Sequence, residues 1–173
     1  MRNEIEEFRL VKKEDLKRIV IFSSLSDDML DKVAPIIDFL RFDEREAVFR
    51  EGQIAERFYM VRRGKVLLEK RISGKVAVSL GTVKAGFSFG WSALLDGGPY
   101  TSDAICAEPC EIFSARREKI LPLMDADKAM GYIISQSLLR IIKKRLDLRT
   151  EQLLRAIQNH PDLQSLLSAS VDI

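Results

Sequence analysis

Histidine is almost missing from this sequence. One residue, His160, stands in a chain of 173, in QNHPD and beyond every strand-like segment. A barrel metal site of the cupin kind needs several histidines and carboxylates converging, and a Ser-His-Asp or Cys-His set needs a histidine beside its nucleophile, so both chemistries are excluded from the strand region. Cysteine is scarce as well. Cys106 and Cys110 lie four apart in AICAEPCEI with no second pair to complete a tetrahedral site, and they are expected to be reduced, buried strand residues. Long apolar runs are absent: the best stretch, MGYIISQSLL from Met130, is broken by Ser135, Gln136 and Ser137, short of the roughly 20 residues a membrane span requires. The opening MRNEIEEFRLVKKEDL has no apolar core of a secretion signal, so the chain is expected in the cytoplasm with no membrane partner. Charge of one sign is not in excess either. The 28 Lys and Arg stand against 26 Asp and Glu, which leaves no global field to gather nucleic acid, and any recognition must be local.

What is present is a change of period along the chain. With 46% hydrophobic residues it can build a core of ordinary size. Residues 1–41 read as a helical lead-in: EDLKRIVIF, then Ser24 or Ser26 as a cap before DDMLDKVAPIIDFL, where Met29, Leu30, Val33, Ile36, Ile37 and Leu40 recur at helical spacing. Residues 42–114 turn to short alternating or β-branched runs punctuated by Gly52, Gly64, Gly74, Gly81, Gly86 and the Gly97-Gly98 pair, a β barrel of short strands. Residues 115–159 return to helical period, first in REKILPLM and then in a stretch with no Gly or Pro from Tyr132 to Gln158, and 160–173 form a tail. On the long helix, Leu139, Ile142, Leu146, Leu153 and Ala156 fit the a and d positions of a heptad, with Arg149 as the one polar interruption. The stripe is expected to join two copies of the chain as a homodimer, the alternative being that it packs on the chain's own barrel. Arg140, Lys143, Lys144, Arg145 and Arg149 on the same helix read as a solvated face rather than a nucleic-acid contact.

Two stretches carry a resemblance. EGQIAERFYMVRRGKVLLEK, with Gly52 and Gly64 flanking Ala55, Phe58, Tyr59 and Val61, and FGWSALLDGGPYTSDA, Phe89 to Ala104, stand in the order helix, small barrel interrupted by a short helix, long helix. From about Ile21 to Gln158 the chain resembles the cyclic nucleotide-binding domain of the catabolite activator and cyclic-nucleotide-dependent kinase family. The implied fold is mainly β with flanking helices: a small double-stranded β-helix, jelly-roll-like, with N-terminal helices and a long C-terminal helix. The second stretch, within 87–104, resembles the family's phosphate-binding cassette, which implies a ligand site at Phe89, Gly90, Trp91, Ser92, Ala93, Leu94, Tyr100 and Thr101, with backbone N–H groups of Ser92 to Leu94 turned to an anion.

The departures are as informative. The family places a glutamate after Phe-Gly to hold the ribose 2′-hydroxyl and an arginine after the proline to pair with the cyclic phosphate. Here those positions are Trp91 and Tyr100, and Asp96 and Asp103 add negative charge nearby. Losing the arginine alone removes a charge-assisted contact of about 1 to 3 kcal/mol. Two readings stay open: Trp91 fills the pocket, or the two aromatic residues accept a different, neutral or planar ligand. The expectation is a non-enzymatic regulatory or sensor module with weak or altered binding of cyclic AMP, cyclic GMP or another small ligand. The alternatives are a ligand-free dimeric scaffold, or the sensor part of a transcription regulator, since the 15 residues after Gln158 are too few for a winged helix-turn-helix.

Overall fold

The computed structural model describes residues 11–73, 76–95 and 97–160. Its helices and strands run α1 Lys13–Lys17, α2 Asp27–Val33, β1 Ile37–Phe42, β2 Ala47–Phe49, β3 Arg57–Arg63, β4 Lys65–Ser73, β5 Val76–Lys84, β6 Ser88–Phe89, β7 Asp103–Cys106, β8 Cys110–Arg116, α3 Arg117–Ala126 and α4 Lys128–Gln158.

α2 starts where the sequence signals it. The Ser26 hydroxyl accepts the Met29 N–H at 3.3 Å, and Asp27 and Asp28 occupy the first turn, where the helix end favours negative charge. It stops earlier than the hydrophobic spacing predicts. Pro35 lacks the N–H that a further helical turn would need, the chain passes through a short 3₁₀ turn at Ala34–Ile36, and the β-branched pair Ile36-Ile37 leads into β1. The apolar residues Ile37, Phe39, Leu40 and Phe42 therefore belong to a strand, and the β region begins at Ile37, inside the stretch expected as helical lead-in.

Eight strands form two antiparallel four-stranded sheets, in the orders β1-β8-β3-β6 and β2-β7-β4-β5. β8 is central to the first, pairing with β1 from Ile37 opposite Ala115 to Phe42 opposite Cys110, and with β3 on its other side. β7 and β4 are central to the second. Phe49 of the second sheet lies 5.6 Å from Tyr59 and 5.8 Å from Phe89 of the first, ring centre to ring centre, so the two sheets close face to face over a shared core. This is the jelly-roll-like barrel that the resemblance implies. Phe58, Phe89, Phe113, Met60 and Ile112 are fully buried in it, each stabilising the fold by about 1.5 to 3 kcal/mol. Cys106 ends β7 and Cys110 begins β8, both buried free thiols. Burial pushes the Cys106 thiol up, its contact with Cys110 adds to that, and both residues act as small hydrophobes.

The β3–β4 hairpin turns on Gly64. Its φ is +94°, and a Cβ there would lie 2.7 Å from both Cys110 Sγ and the Pro109 carbonyl oxygen, so the glycine is required by the neighbouring β8 entry as well as by its own backbone. The chain divides into two compact units, one reaching Ile134 and the other starting at Ser135. The first holds both sheets, α1 to α3 and the start of α4. Within the second, Leu139, Leu146 and Leu153 are 58, 64 and 61% exposed, Ala156 is exposed and Ile142 half-buried. Among the described residues, no helix is long and apolar enough to cross a membrane.

Candidate functional site

The cassette sits between β6 and β7. Phe89, at the end of β6, is buried against Tyr59 at 5.4 Å, and Gly90 follows in the left-handed region with φ 72° and ψ 35°. A Cβ on Gly90 would come within 3.0 Å of Tyr59 Cδ2 and 3.4 Å of the Arg57 carbonyl oxygen, so close approach to β3 and positive φ both demand glycine. Trp91–Leu94 then makes a 3₁₀ turn with Ala93 buried at its centre.

Part of the N–H donor set expected in this turn is engaged within the protein. The Ala93 N–H donates to the Gly90 carbonyl at 3.3 Å, which withdraws one of the three donors expected at Ser92 to Leu94. Four residues of 3₁₀ geometry also align few peptide dipoles, so the positive helix end is small. Trp91 is half-buried rather than core, and its indole Nε1 donates to the buried Ser88 hydroxyl at 3.2 Å. Ser92 and Leu94 are half-buried and Thr101 is exposed, its carbonyl accepting from Lys70 Nζ at 3.4 Å.

Tyr100, which the resemblance sets at the family's arginine position, points into the protein. It is 5% exposed and lies flat on Phe49, with ring centres 3.7 Å apart and planes inclined by 13°. Its hydroxyl donates to the Arg57 carbonyl at 2.7 Å and accepts the Arg57 N–H at 3.3 Å. Burial pushes the phenol well above its usual range, and the adjacent Tyr59 adds to the shift. Tyr100, Phe49, Tyr59 and Phe89 thus form one aromatic cluster beneath the cassette. The Arg57 guanidinium does not substitute for the lost cation: its Nη1 donates to Asp38 at 2.6 Å and to Ser114 at 2.9 Å.

The negative charge expected from Asp103 is neutralised. Its carboxylate accepts from the Glu51 N–H at 2.7 Å and Arg50 Nη1 at 3.0 Å, with Arg71 Nη2 at 3.7 Å. Burial alone would raise its pKa, but these donors outweigh it and hold the carboxyl below its usual range. Asp96 lies outside the described residues.

Arg117, the first residue of α3, escaped the sequence reading. Its Nη1 donates to the carbonyls of Ala93 at 2.6 Å and Leu95 at 3.1 Å, capping the end of the cassette turn, while its own N–H donates to the Glu56 carbonyl at 2.8 Å. Gly97 admits the guanidinium, since a Cβ there would sit 3.0 Å from Arg117 Cζ. Nothing in RREKIL marks this arginine; the signal is the Gly97 turn facing it. Among the described residues, no group of three His, Cys, Asp or Glu side chains could hold a metal ion.

A barrel of two four-stranded sheets with a glycine-led cassette between β6 and β7, followed along the chain by a long C-terminal helix, defines a cyclic nucleotide-binding fold. A model of the cyclic nucleotide-binding domain matches residues 39–127, and the chain belongs to that family. Among curated relatives, it is 28% identical over 111 residues to the cGMP-dependent protein kinase egl-4 of Caenorhabditis briggsae, covering 63% of this chain and 15% of the kinase. It is 26% identical over 109 residues to the cyclic AMP receptor protein of Thermus thermophilus, covering 63% of this chain and 50% of the relative. The chain therefore spans half or less of these proteins. Of solved structures, a cyclic nucleotide-binding domain from Methylobacillus flagellatus superposes with a TM-score of 0.73 at 18% identity, covering 86% of this chain and 83% of that one. The Thermus thermophilus catabolite activator protein gives 0.66 at 23%, covering 80 and 63%. Identities this low speak for the fold alone.

Proposed function

We propose that this chain is a non-enzymatic regulatory or sensor module whose cassette binds cyclic AMP and cyclic GMP weakly, or has turned to another small ligand. The observation that carries the reading is the placement of Tyr100. At the position where the resemblance puts the family's phosphate-binding cation, a neutral phenol is buried against Phe49, its hydroxyl donating to the Arg57 carbonyl and accepting the Arg57 N–H. Trp91 replaces the sugar's acceptor with an indole whose N–H is occupied by Ser88, so a cyclic nucleotide gains neither of its usual side-chain anchors. Backbone donors and the exposed Thr101 remain for a ligand that asks less of charge.

Calorimetric titration of the purified chain with cyclic AMP and cyclic GMP tests this. The expected dissociation constants are weaker than about 1 µM, and tighter binding, beyond roughly 8 kcal/mol, overturns the reading. The accompanying proposal is a homodimer through α4, favoured by the exposure of Leu139, Leu146 and Leu153 on one near-heptad stripe, with Ile142 beside them.

A further inference from the structure

The edge strands of the two sheets differ in length and burial. β2 and β6 have three and two residues and the six of β1 are mostly buried, whereas β5, Val76–Lys84, has nine. β4 pairs with β5 on one side only. Among the described residues, no backbone hydrogen bond joins Val76–Val83 to anything on the other side, so a row of N–H and C=O groups is left open. Edges of this length are commonly blunted by charged side chains or proline. From Val76 to Val83 there is neither, and Val76 and Val78 are 52 and 42% exposed, with Ile72 of β4 at 71% across from them. Leu80 is bulged out of the pairing with β4, but the row is regular over Val76–Ser79, where the extra residue, Ile72, belongs to β4.

Positive charge brackets this uncharged row. Lys84 ends β5, exposed and without an ion pair to a described residue, and Lys65 opposite it on β4 has only Glu108 at 3.6 Å. At the other end the sequence places Lys75 directly before Val76, Lys70 pairs with Glu51 at 2.9 Å, and Arg50 and Arg71 share Asp103. With Glu69 included, these six basic residues stand against four acidic ones, an excess of two positive charges around the hairpin. A second copy of β5 laid antiparallel would bring Lys84 near Lys75 at both ends, so like charges oppose self-pairing. We propose that the β5 edge is a docking site for an extended segment of a partner protein, with an uncharged β-branched centre flanked by carboxylates, which joins the sheet as an added strand. The open backbone row supplies its hydrogen bonds, Val76 and Val78 on one face its apolar contact, and the bracketing lysines its charge preference. The inference does not depend on what the cassette binds or on whether α4 dimerises.

A short peptide of alternating valine and threonine with a pair of glutamates at each end, added to the full chain, tests the site by amide hydrogen exchange followed by NMR. Exchange within Val76–Ser79 should slow by about tenfold or more at saturation, and only at alternate residues, because every second N–H points away from β4. The dissociation constant should lie below about 1 mM. The same peptide with lysines in place of the glutamates should bind at least about fivefold more weakly, and Lys84→Glu should narrow that gap. Val78 is exposed, so Val78→Glu should leave the amide spectrum outside the hairpin unchanged while weakening the glutamate peptide about tenfold. No slowing up to about 5 mM peptide, equal binding of the two peptides to wild type, or slowing that grows with protein concentration in the absence of peptide, the sign of a second copy on the edge, overturns the proposal.

Discussion

Tyr100→Phe separates the two things Tyr100 does. The phenylalanine ring keeps the stack on Phe49 at 3.7 Å, while the hydroxyl that donates to the Arg57 carbonyl at 2.7 Å and accepts the Arg57 N–H at 3.3 Å is gone. A buried polar group left without its partner costs about 1 to 3 kcal/mol. Arg57 is only half-buried and the 3.3 Å contact is long, so the expected loss lies near the lower end, about 1 to 2 kcal/mol, or roughly 2 to 8 °C in Tm for a chain of this size. The same variant carries a pH signature. Because the folded protein holds the Tyr100 phenol well above its usual range, the unfolded chain releases that proton first. The stabilisation is complete below the ordinary tyrosine value of about 10 and fades as pH rises from there towards the folded value. Cys106 and Tyr59, also raised by burial, add to the alkaline loss in both proteins, so the informative quantity is the difference between wild type and variant. Urea melts at neutral pH and at stepwise higher pH should give a gap that narrows above about pH 10. A neutral-pH difference below about 0.5 kcal/mol, with parallel alkaline profiles, refutes the hydroxyl's role in the fold.

Gly90→Ala should destabilise by about 2 to 4 kcal/mol in a denaturant melt, since the left-handed backbone and the 3.0 Å approach to Tyr59 both resist a methyl group; a loss under about 1 kcal/mol would contradict the crowding. The folded pair Trp91→Glu with Tyr100→Arg should bind cyclic AMP at least about tenfold more tightly than wild type by calorimetry, because it restores the sugar acceptor and the phosphate cation together. An unchanged affinity would mean that the Phe49–Tyr59–Phe89 cluster, and not the missing side chains, closes the site. Leu146→Asp with Leu153→Asp should shift light scattering from dimer to monomer while leaving the β-sheet circular dichroism intact, as both leucines are exposed in the single chain. A wild-type mass equal to the 19.7 kDa monomer at tens of micromolar concentration would end the dimer proposal.

The parts of the fold legible in the sequence are those in which local chemistry decides. The Ser26 cap, the glycine turns at Gly64 and Gly90 and the switch from alternating to helical period mark α2, the hairpin, the cassette and α4 without reference to distant residues. The start of β1 was hidden because Ile36, Ile37 and Leu40 satisfy helical spacing as well as they satisfy a strand, and Pro35 was the discriminating signal. The site is harder to read for a different reason: its chemistry is set by partners far away in the chain. That Tyr100 falls where the resemblance leads one to expect an arginine is visible at once, but whether its ring turns to a ligand or to the core depends on Phe49 lying flat against it and on the Arg57 backbone receiving its hydroxyl. Asp103 looks like added negative charge until Arg50 and Arg71 arrive from β2's exit and from β4.

Arg117 connects these observations. Cations favour the carbonyl end of a helix, and a turn as short as Trp91–Leu94 has little cooperativity of its own, so the two bonds from Arg117 to Ala93 and Leu95 fasten the cassette to α3. The opposite end of the same turn is tied by Gly90 against Tyr59 and by Trp91 to Ser88. A cassette fixed at both ends and underlain by a packed aromatic cluster has little freedom to reorganise around a phosphate. Any ligand it accepts must therefore fit the existing backbone, and affinity restored by Trp91→Glu and Tyr100→Arg would have to displace the Tyr100–Phe49 stack without loosening the Arg117 grip. On the proposed reading the Tyr100–Phe49 stack and the missing side-chain anchors act together against a cyclic nucleotide, and the double variant addresses both.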